Sequence, residues 1–556
     1  MKKQKKYQPR GRNIDKDSLL DIKQLFYGRC LQKDHLIECL HLIQDHYQQI
    51  SLPHILALAN ELNMSMAEVY EVASFYHHFD IVEDNTVKPK ITVRVCNSIS
   101  CELFGSDQLL KNLQQSLGTQ VNFQKVPCVG RCANAPVAVV GKNPIELATV
   151  SKIHTALSKQ QVDDQIPETV TLIDQYISAG GYETWKACAD GTIESDHVMT
   201  LLESSNLRGL GGAGFPVGKK WRIVNAQSAP RMMAVNIDEG EPGTFKDRYY
   251  LERDPHRFVE GVLIAAKVVG IESIIIYIRD EYTALRKMLQ QQIDLLIQHF
   301  PHQVPDISIR RGAGSYICGE ESAMIESIEG KRGMPRLRPP FVAEVGLYGR
   351  PTLEHNMESL YWIRDIVEKG ADWFCSIGRR GQNGFRSFSV SGRVKKPGVH
   401  VAPAGITMNE LIDEYCGGML EGHAFNAYFP GGASGGILPA SLADIPLDFD
   451  TLQEFGCFIG SAAIIVLSDR DSIRRSALNA MKFFAKESCG QCTPCRVGTQ
   501  KASMLMQQSN WDVQLLQDLS QLMQDASICG LGQAAPNPVL SAIRYFPEVI
   551  KDGEGK

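Results

Sequence analysis

An α/β chain of several domains is the architecture this sequence predicts, and three observations carry that expectation. Helical and strand-like periodicities alternate along 556 residues, a length that holds roughly three to five domains. Hydrophobic residues make up 44% and charged residues 22%, with a net charge of −5, an ordinary profile for a soluble globular protein. Eight of the 15 cysteines fall into two groups, one before residue 133 and one after residue 488. A disulfide framework does not suit so long a chain without an export signal, so clustered cysteines point to metal in a reducing compartment. There is no apolar run of membrane-spanning length, and the start, MKKQKKYQPRGR, lacks the apolar core of a signal peptide, which places the chain in the cytoplasm. Residues 1–15 read as a solvated basic tail; nothing else is basic enough to form a nucleic-acid surface.

Residues 16–88 read as a helical bundle, with Leu36, Leu40, Ile43 and Tyr47 on one apolar face. Ser65 and Glu68 form a capping box before a helix at 69–75, and His77 and His78 read as ordinary polar residues. Residues 89–160 read as a small α/β unit, with ITVRVC a strand, 106–117 a helix ended by Gly118, and 121–126 and 137–140 further strands. Cys96 and Cys101 (C-x4-C) follow the first strand, and Cys128 and Cys132 (C-x3-C) follow a later one. Four thiolates from two strand-end loops can enclose one centre. Their spacing is wider than zinc usually takes and suits a [2Fe–2S] cluster; zinc and plain buried thiols are the alternatives.

The largest predicted unit, 168–386, contains LRGLGGAGFPVGKKW at 207–221. Its glycines expose backbone N–H groups, and Lys219 and Lys220 follow at once, so the loop can meet a phosphate. Gly209, Gly211 and Gly214 satisfy G-x-G-x-x-G, but an amphipathic helical run at 197–204 precedes them where a Rossmann fingerprint needs a strand. A strand at 232–238 leads into the acidic loop NIDEGEPGTFKDR. A helix from Asp254–Pro255 to Gly270, a strand SIIIYI and a long helix at 280–300 follow, an alternation that argues for an α/β sheet. RGAGSYICGEES adds a second glycine turn with paired acids.

Residues 387–470 read as a hairpin, a capped helix at 407–416 and a strand entering the turn PGGASGG, which lacks the Lys-Ser/Thr ending of a phosphate loop. The last unit, 471–556, is helical and carries ESCGQCTPCRVG with a distant Cys529. Cys489, Cys492 and Cys495 in C-x2-C-x2-C plus that fourth cysteine suit a [4Fe–4S] cube, with zinc the alternative. Cys30, Cys39, Cys188, Cys318, Cys375, Cys416 and Cys457 are scattered and read as buried thiols.

Several of these stretches resemble known families. EVYEVASFY, VCNSISCELFG and VPCVGRCANAP, across residues 19–144, resemble the small [2Fe–2S] subunit of respiratory complex I, which implies a helical bundle followed by a thioredoxin-like ferredoxin domain. LRGLGGAGFP, NIDEGEPGTFKDR and GAGSYICGEES, in that order, resemble the flavin- and NADH-binding subunit of complex I and its relatives. That resemblance implies a Rossmann-like FMN and NAD(H)-binding domain whose flavin-side positions are Gly209, Gly211, Gly212, Lys220, Asn236, Asp238, Glu239, Tyr316, Gly319, Glu320, Glu321 and Asn356. Phe215 and Phe341 match positions that pack against the NADH adenine, and Glu241 an acid near the nicotinamide. It also implies a ubiquitin-like β-grasp (SLBB-like) domain at 387–470, acting as a spacer or docking unit, and a C-terminal helical bundle with all four [4Fe–4S] cysteines. No side chain is expected to be catalytic, because hydride passes directly between nicotinamide and flavin.

Two departures stand out: Leu210 replaces an arginine of the complex I pattern, and His355–Asn356 replaces an asparagine pair. With IRDEY, GKRGMPRLRPPF and PTLEHNMESLYWIRDIVEKG, the wording resembles the β (diaphorase) subunit of NAD-dependent formate dehydrogenases. This implies that electrons pass from a molybdenum- or tungsten-containing catalytic subunit with further iron–sulfur clusters, through this chain's clusters and FMN, to NAD+. A small [2Fe–2S] subunit is a further expected partner. The chain itself shows no molybdopterin or nickel ligand set. The alternatives are the diaphorase subunit of an NAD-reducing hydrogenase and the NADH dehydrogenase module of complex I. A colourless scaffold with two structural zinc sites is the reading of another class, and visible absorption separates it from the rest.

Overall fold

The structure, a computed structural model, describes residues 13–29, 31–83, 89 and 91–551. Most of the basic tail (residues 1–12) and Cys30 lie outside the described residues. Four helices open the described chain, Lys16–Leu25, Leu36–Tyr47, Leu52–Leu62 and Met66–Phe75. Their ends are chosen by local chemistry. The Ser51 hydroxyl accepts from the His54 N–H ahead of Pro53, and Ser65 and Glu68 form the expected reciprocal capping box. A two-residue parallel pair, β1 (Ile50–Ser51) with β2 (Ile81–Val82), closes this unit.

Next come β3 (Thr92–Cys96), β4 (Asn122–Val126), β5 (Ala138–Val140) and β6 (Asn143–Ile145), in the order β4-β3-β5-β6. β3 and β4 are parallel, joined through the helix Ser106–Leu117, and the other pairs are antiparallel. The second sheet is wholly parallel: β7 (Arg231–Ile237), β8 (Ile271–Ile278), β9 (Asp306–Arg311) and β10 (Thr352–Asn356), in the order β10-β7-β8-β9. β7 is flanked by β10 on one side and β8 on the other, so the chain reverses direction across the sheet there. In open α/β sheets the crevice beyond the strand carboxyl ends at such a point is where ligands bind.

The third sheet is mixed: β11 (Phe385–Gly392), β12 (Gly398–Pro403), β13 (Phe425–Phe429), β14 (Leu438–Pro439) and β15 (Ala463–Ser468), in the order β12-β11-β15-β13-β14. Here the structure departs from the sequence reading. Thr407 and Glu410 make a capping box, but the helix lasts one turn and then widens to a π-type turn at Leu411–Tyr415. The chain ends in helices Ile473–Glu487, Thr493–Met506, Val513–Ala526, Gly530–Ala534, Asn537–Tyr545 and Pro547–Lys551. Among the described residues no helix is long and apolar enough to cross a membrane.

Strand alternation makes the parallel sheet a partition between two cores. Met233, Val235 and Ile237 face a core shared with the third sheet. Met232, Ala234, Ile275 and Tyr277 face a core shared with the N-terminal and C-terminal helices. The acidic loop at the end of β7 therefore lies where all of these units meet.

Candidate functional site

The glycine loop follows the helix Ser195–Ser204 and precedes β7, as the sequence order requires. It is pinched shut by Gly209 N–H donating to Phe215 O (2.8 Å) and Val217 N–H donating to Leu207 O (2.9 Å). Gly214 takes φ +65°, and a Cβ there would lie 2.7 Å from Phe449, so both conformation and space demand glycine. A Cβ on Gly211 would lie 2.9 Å from Asn356, which shows how closely the loop approaches the end of β10. Phe215 is 41% and Phe341 52% exposed, so both side chains are accessible from solvent. Lys220 Nζ donates to Glu354 O (2.8 Å) and Glu354 Oε2 (3.2 Å), an acid that the sequence reading missed.

Both departures from the complex I wording point inward. Leu210 is buried in the main core, its N–H donating to Ser359 Oγ at 2.8 Å. His355 is buried and accepts from Trp221 Nε1 (2.8 Å). Burial, reinforced by Lys220, holds its pKa well below the usual range, so the ring is neutral.

At the strand ends, Asn236 Nδ2 donates to Gly319 O (2.9 Å), and Asn236 Oδ1 accepts from Asp238 N–H (3.0 Å). Asn356 caps the helix Met357–Tyr361 and binds the buried pair Lys246 (3.0 Å) and Asp247 (2.8 Å). Asp238 leaves its Oδ2 buried and without a hydrogen-bond partner. Burial raises its pKa to about 8, with Glu281 and Glu487 adding and Arg279 opposing. Glu239 turns away from the crevice: its carboxylate accepts from Asp247 N–H (2.8 Å), Arg248 N–H (3.3 Å) and Tyr282 Oη (2.7 Å). Glu241 accepts from the Tyr316 hydroxyl and from Ser434 N–H (2.8 Å), and its pKa is raised by burial. Ser434 belongs to PGGASGG, so the third sheet's turn forms part of this wall rather than standing apart as a spacer. Glu320 caps the helix Glu321–Ile328 and pairs with Arg338, whose Nη1 also lies 3.2 Å from Glu321.

The sequence reading also missed the charges that close the loop. The helix expected from residue 280 begins at Thr283, because Asp280 and Glu281 serve as partners in the turn before it. His78 Nδ1 lies 3.0 Å from Asp280 Oδ2 and its Nε2 lies 3.7 Å from Glu281, so His78 is not an ordinary polar residue. Burial alone would lower its pKa; Glu281 and Asp280 override that and raise it to about 9. Tyr316 N–H donates to the buried Glu487 (2.9 Å). A signal was present in the sequence: three charged residues directly after the apolar run of β8.

All four N-terminal thiols are buried, Cys96 and Cys101 at 1%, Cys128 at 2% and Cys132 at 3%. Cys128 and Cys132 sulfurs lie 3.2 Å apart and pack on Phe245 of the acidic loop. The thiol of Cys128 is drawn down to about 6, first by Cys132 and then by Arg279 against the cost of burial. The loop bearing Cys96 and Cys101 is held from elsewhere, by Ser100 Oγ to Ser391 Oγ (2.8 Å) and Asn479 Nδ2 donating to Asn97 O (2.8 Å). At the other end, Cys489 and Cys492 are partly exposed, while Cys495 and Cys529 are buried. Burial pushes Cys495 up to about 11 and Cys529 to about 12. Of the remaining cysteines described, Cys375 is only partly buried, unlike the expectation, and the others are buried.

Three family models match in sequence order: a thioredoxin-like [2Fe–2S] ferredoxin over residues 22–161, the Nuo51 FMN-binding domain over 202–365, and the NADH-ubiquinone oxidoreductase-F iron–sulfur binding region over 475–553. An F-type subunit of the NADH-quinone oxidoreductase of Rhizobium meliloti (strain 1021), the one numbered 2, is 40% identical over 393 residues, 67% of this chain and 92% of that protein. The corresponding F-type subunit of Aquifex aeolicus (strain VF5) is 38% identical, over 68% of this chain and 90% of that protein. The chain belongs to the family of F-type NADH-quinone oxidoreductase subunits.

Its fold extends beyond those relatives. A chain of an NAD+-reducing [NiFe]-hydrogenase superposes with a TM-score of 0.82 and 28% identity, covering 93% of both chains. The protein is therefore an FMN- and iron–sulfur-containing oxidoreductase of the NADH-dehydrogenase type, with one [2Fe–2S] and one [4Fe–4S] region. The residues present fit those groups. Two separate sets of four thiols are available, and Asp238 Oδ2 is buried at the end of β7 without a hydrogen-bond partner.

Proposed function

We propose that this F-type family member is the β (diaphorase) subunit of a cytoplasmic NAD-dependent formate dehydrogenase, passing electrons reversibly between a partner catalytic subunit and NAD+. The observation that carries the reading is that one polypeptide places two thiol sets on either side of the glycine and acidic loops. Such a fusion suits a soluble NAD-linked assembly, and the stretches around Leu210, IRDEY and His355 are worded like the formate enzymes. The expected partner is a molybdenum- or tungsten-containing catalytic subunit with its own iron–sulfur clusters, together with a small [2Fe–2S] subunit.

FMN, when bound, converts between the electron pair of NAD(H) and the single electrons that iron–sulfur centres carry. In this reading Lys220 and the amides of Gly211 and Gly212 hold its phosphate, while Gly209, whose N–H is taken by Phe215 O, shapes the loop around it. Asn236, Asp238, Glu320, Glu321 and Asn356 line the ribityl side, with Asp238, protonated near neutral pH, able to donate as well as accept. Glu239 contributes by shaping the loop, and Gly319 by bringing its backbone close. Phe215 and Phe341, both exposed large aromatics, pack against the adenine. Glu241, held by Tyr316 and Ser434, borders the nicotinamide. Cys96, Cys101, Cys128 and Cys132 ligate the [2Fe–2S] centre, and Cys489, Cys492, Cys495 and Cys529 the [4Fe–4S] centre. Tyr316, hydrogen-bonded to Glu241 of the acidic loop, packs at a tilt against Phe483 (5.0 Å between ring centroids) on the helix that leads to Cys489. We take the units to be 16–88, 89–160, 168–386, 387–470 and 471–556 after the basic tail 1–15.

A second reading, the diaphorase subunit of an NAD-reducing hydrogenase, is favoured by the 93% coverage of such a chain. The co-purified complex decides between them: formate-dependent NAD+ reduction is expected, and hydrogen-dependent reduction without it would overturn the formate reading.

A further inference from the structure

The motif IRDEY, at the carboxyl end of β8, is left without a role by the cofactor assignments above. Its arginine, Arg279, is 4% exposed. Nη1 donates to the carbonyl oxygen of Glu239 in the acidic loop, and Nη2 donates to the carbonyl oxygen of Cys128 at 2.7 Å. One guanidinium thus ties a thiol-bearing loop of the N-terminal unit to the loop beyond β7. Glu281 fixes its plane through two contacts, Nε at 3.0 Å and Nη2 at 2.6 Å. A parallel strut comes from Arg248, whose Nε donates to the carbonyl of Gly130 (2.9 Å) and whose N–H donates to Glu239 Oε2 (3.3 Å). Between the two, Gly130 packs so tightly on Tyr282 that a Cβ would lie 2.3 Å from the Tyr282 hydroxyl.

A hydrogen bond from a buried cation to the backbone of a thiol ligand does two things. It fixes the distance between the two loops, and it places positive charge beside a centre that becomes more negative by one unit on one-electron reduction. Burial keeps that interaction from being screened as it would be in water. Hydrogen bonding and net charge around the sulfurs are among the factors that set iron–sulfur potentials. Glu281 acts in the opposite sense, because its carboxylate partly cancels the guanidinium.

We infer that Arg279 is a positioning residue that couples the [2Fe–2S] centre to the flavin-binding loop and makes that centre easier to reduce, with Glu281 opposing it. The inference rests on the reading of Cys96, Cys101, Cys128 and Cys132 as ligands. No bond is made or broken in the step; one electron enters, and the fixed charges favour or disfavour its arrival.

The test is an EPR-monitored redox titration of the full-length protein in its complex, with Arg279→Gln, Arg279→Lys and Glu281→Gln. Arg279→Gln is expected to make the [2Fe–2S] centre about tenfold harder to reduce, 59 mV lower for a one-electron couple. Glu281→Gln is expected to move it the other way, Arg279→Lys to stay near the unaltered value, and the [4Fe–4S] centre to hold still throughout. Loosened packing alone would not give opposite signs. Normal signals with unmoved potentials in both neutralised variants would overturn the inference. Should Arg279→Gln lose the centre, Glu281→Gln decides alone: a rise supports the coupling, and no rise overturns it. An unaltered protein with no [2Fe–2S] signal would instead overturn the reading of the thiols, before any substitution is made.

Discussion

The two thiol sites are built in opposite ways. The C-terminal set is local: Cys489, Cys492 and Cys495 sit on one tight loop entering the helix Thr493–Met506, and Cys529 stands at the start of the short helix Gly530–Ala534 in the same unit. The N-terminal set is assembled from a distance. Its first loop leans on Ser391 and Asn479, and its second on Phe245, Arg248 and Arg279. A site held by its own loop fails alone, whereas a site held by its neighbours shares their fate.

Cysteine removal should give the largest contrast. Cys495→Ser is expected to lose the [4Fe–4S] signal and electron transfer to the partner while retaining FMN. Cys128→Ser is expected to lose the [2Fe–2S] signal and also to weaken FMN retention, because Cys128 packs on the acidic loop. Iron content and EPR read the two clusters, reduction of the co-purified partner reads electron transfer and released flavin fluorescence reads FMN; equal FMN retention in both variants would break the comparison.

A pH dependence confined to the assembled site comes next. His78 reaches from the N-terminal helices to Asp280 and Glu281, and its pKa rises from 6.5 to about 9 on folding. Its stabilisation is therefore fully present below pH 6.5 and lost as pH rises through about 9. The shift corresponds to roughly 3 kcal/mol, since each pKa unit is about 1.4 kcal/mol. Unfolding free energies measured across that range should fall for the unaltered protein and stay flatter for His78→Gln; identical slopes would remove His78 from the clamp.

Smaller effects separate the sites further. Ser100→Ala strands the buried Ser391 hydroxyl and should cost about 1–3 kcal/mol, read as a lower midpoint of thermal unfolding with the [4Fe–4S] signal intact. The smallest is Ser488→Ala. It removes a 3.3 Å contact with the Cys495 sulfur, worth about 1 kcal/mol. A slightly altered [4Fe–4S] potential with an unchanged [2Fe–2S] potential is the expected outcome of that redox titration.

What could be read from the chain depended on how far apart the interacting groups lie in it. The Ser65–Glu68 box and the stop at Gly270 are short-range features, and both are seen in the structure. His78 looked unremarkable because its partners are some two hundred residues away. Ser434 looked like part of a plain turn because its backbone N–H meets Glu241 only after the third sheet folds against the second.

Leu210 and Glu239 mark the same boundary from the other side. Their motifs were legible, but the direction of each side chain was not: Leu210 points into the core and Glu239 toward two backbone N–H groups and the Tyr282 hydroxyl. By itself the sequence determined which chemistry is available, namely two sets of four thiols, a glycine loop and an acidic loop. Only the tertiary structure decided which of those groups stay free for a ligand and which are consumed as struts, because a buried polar atom must be satisfied by whatever lies beside it in space.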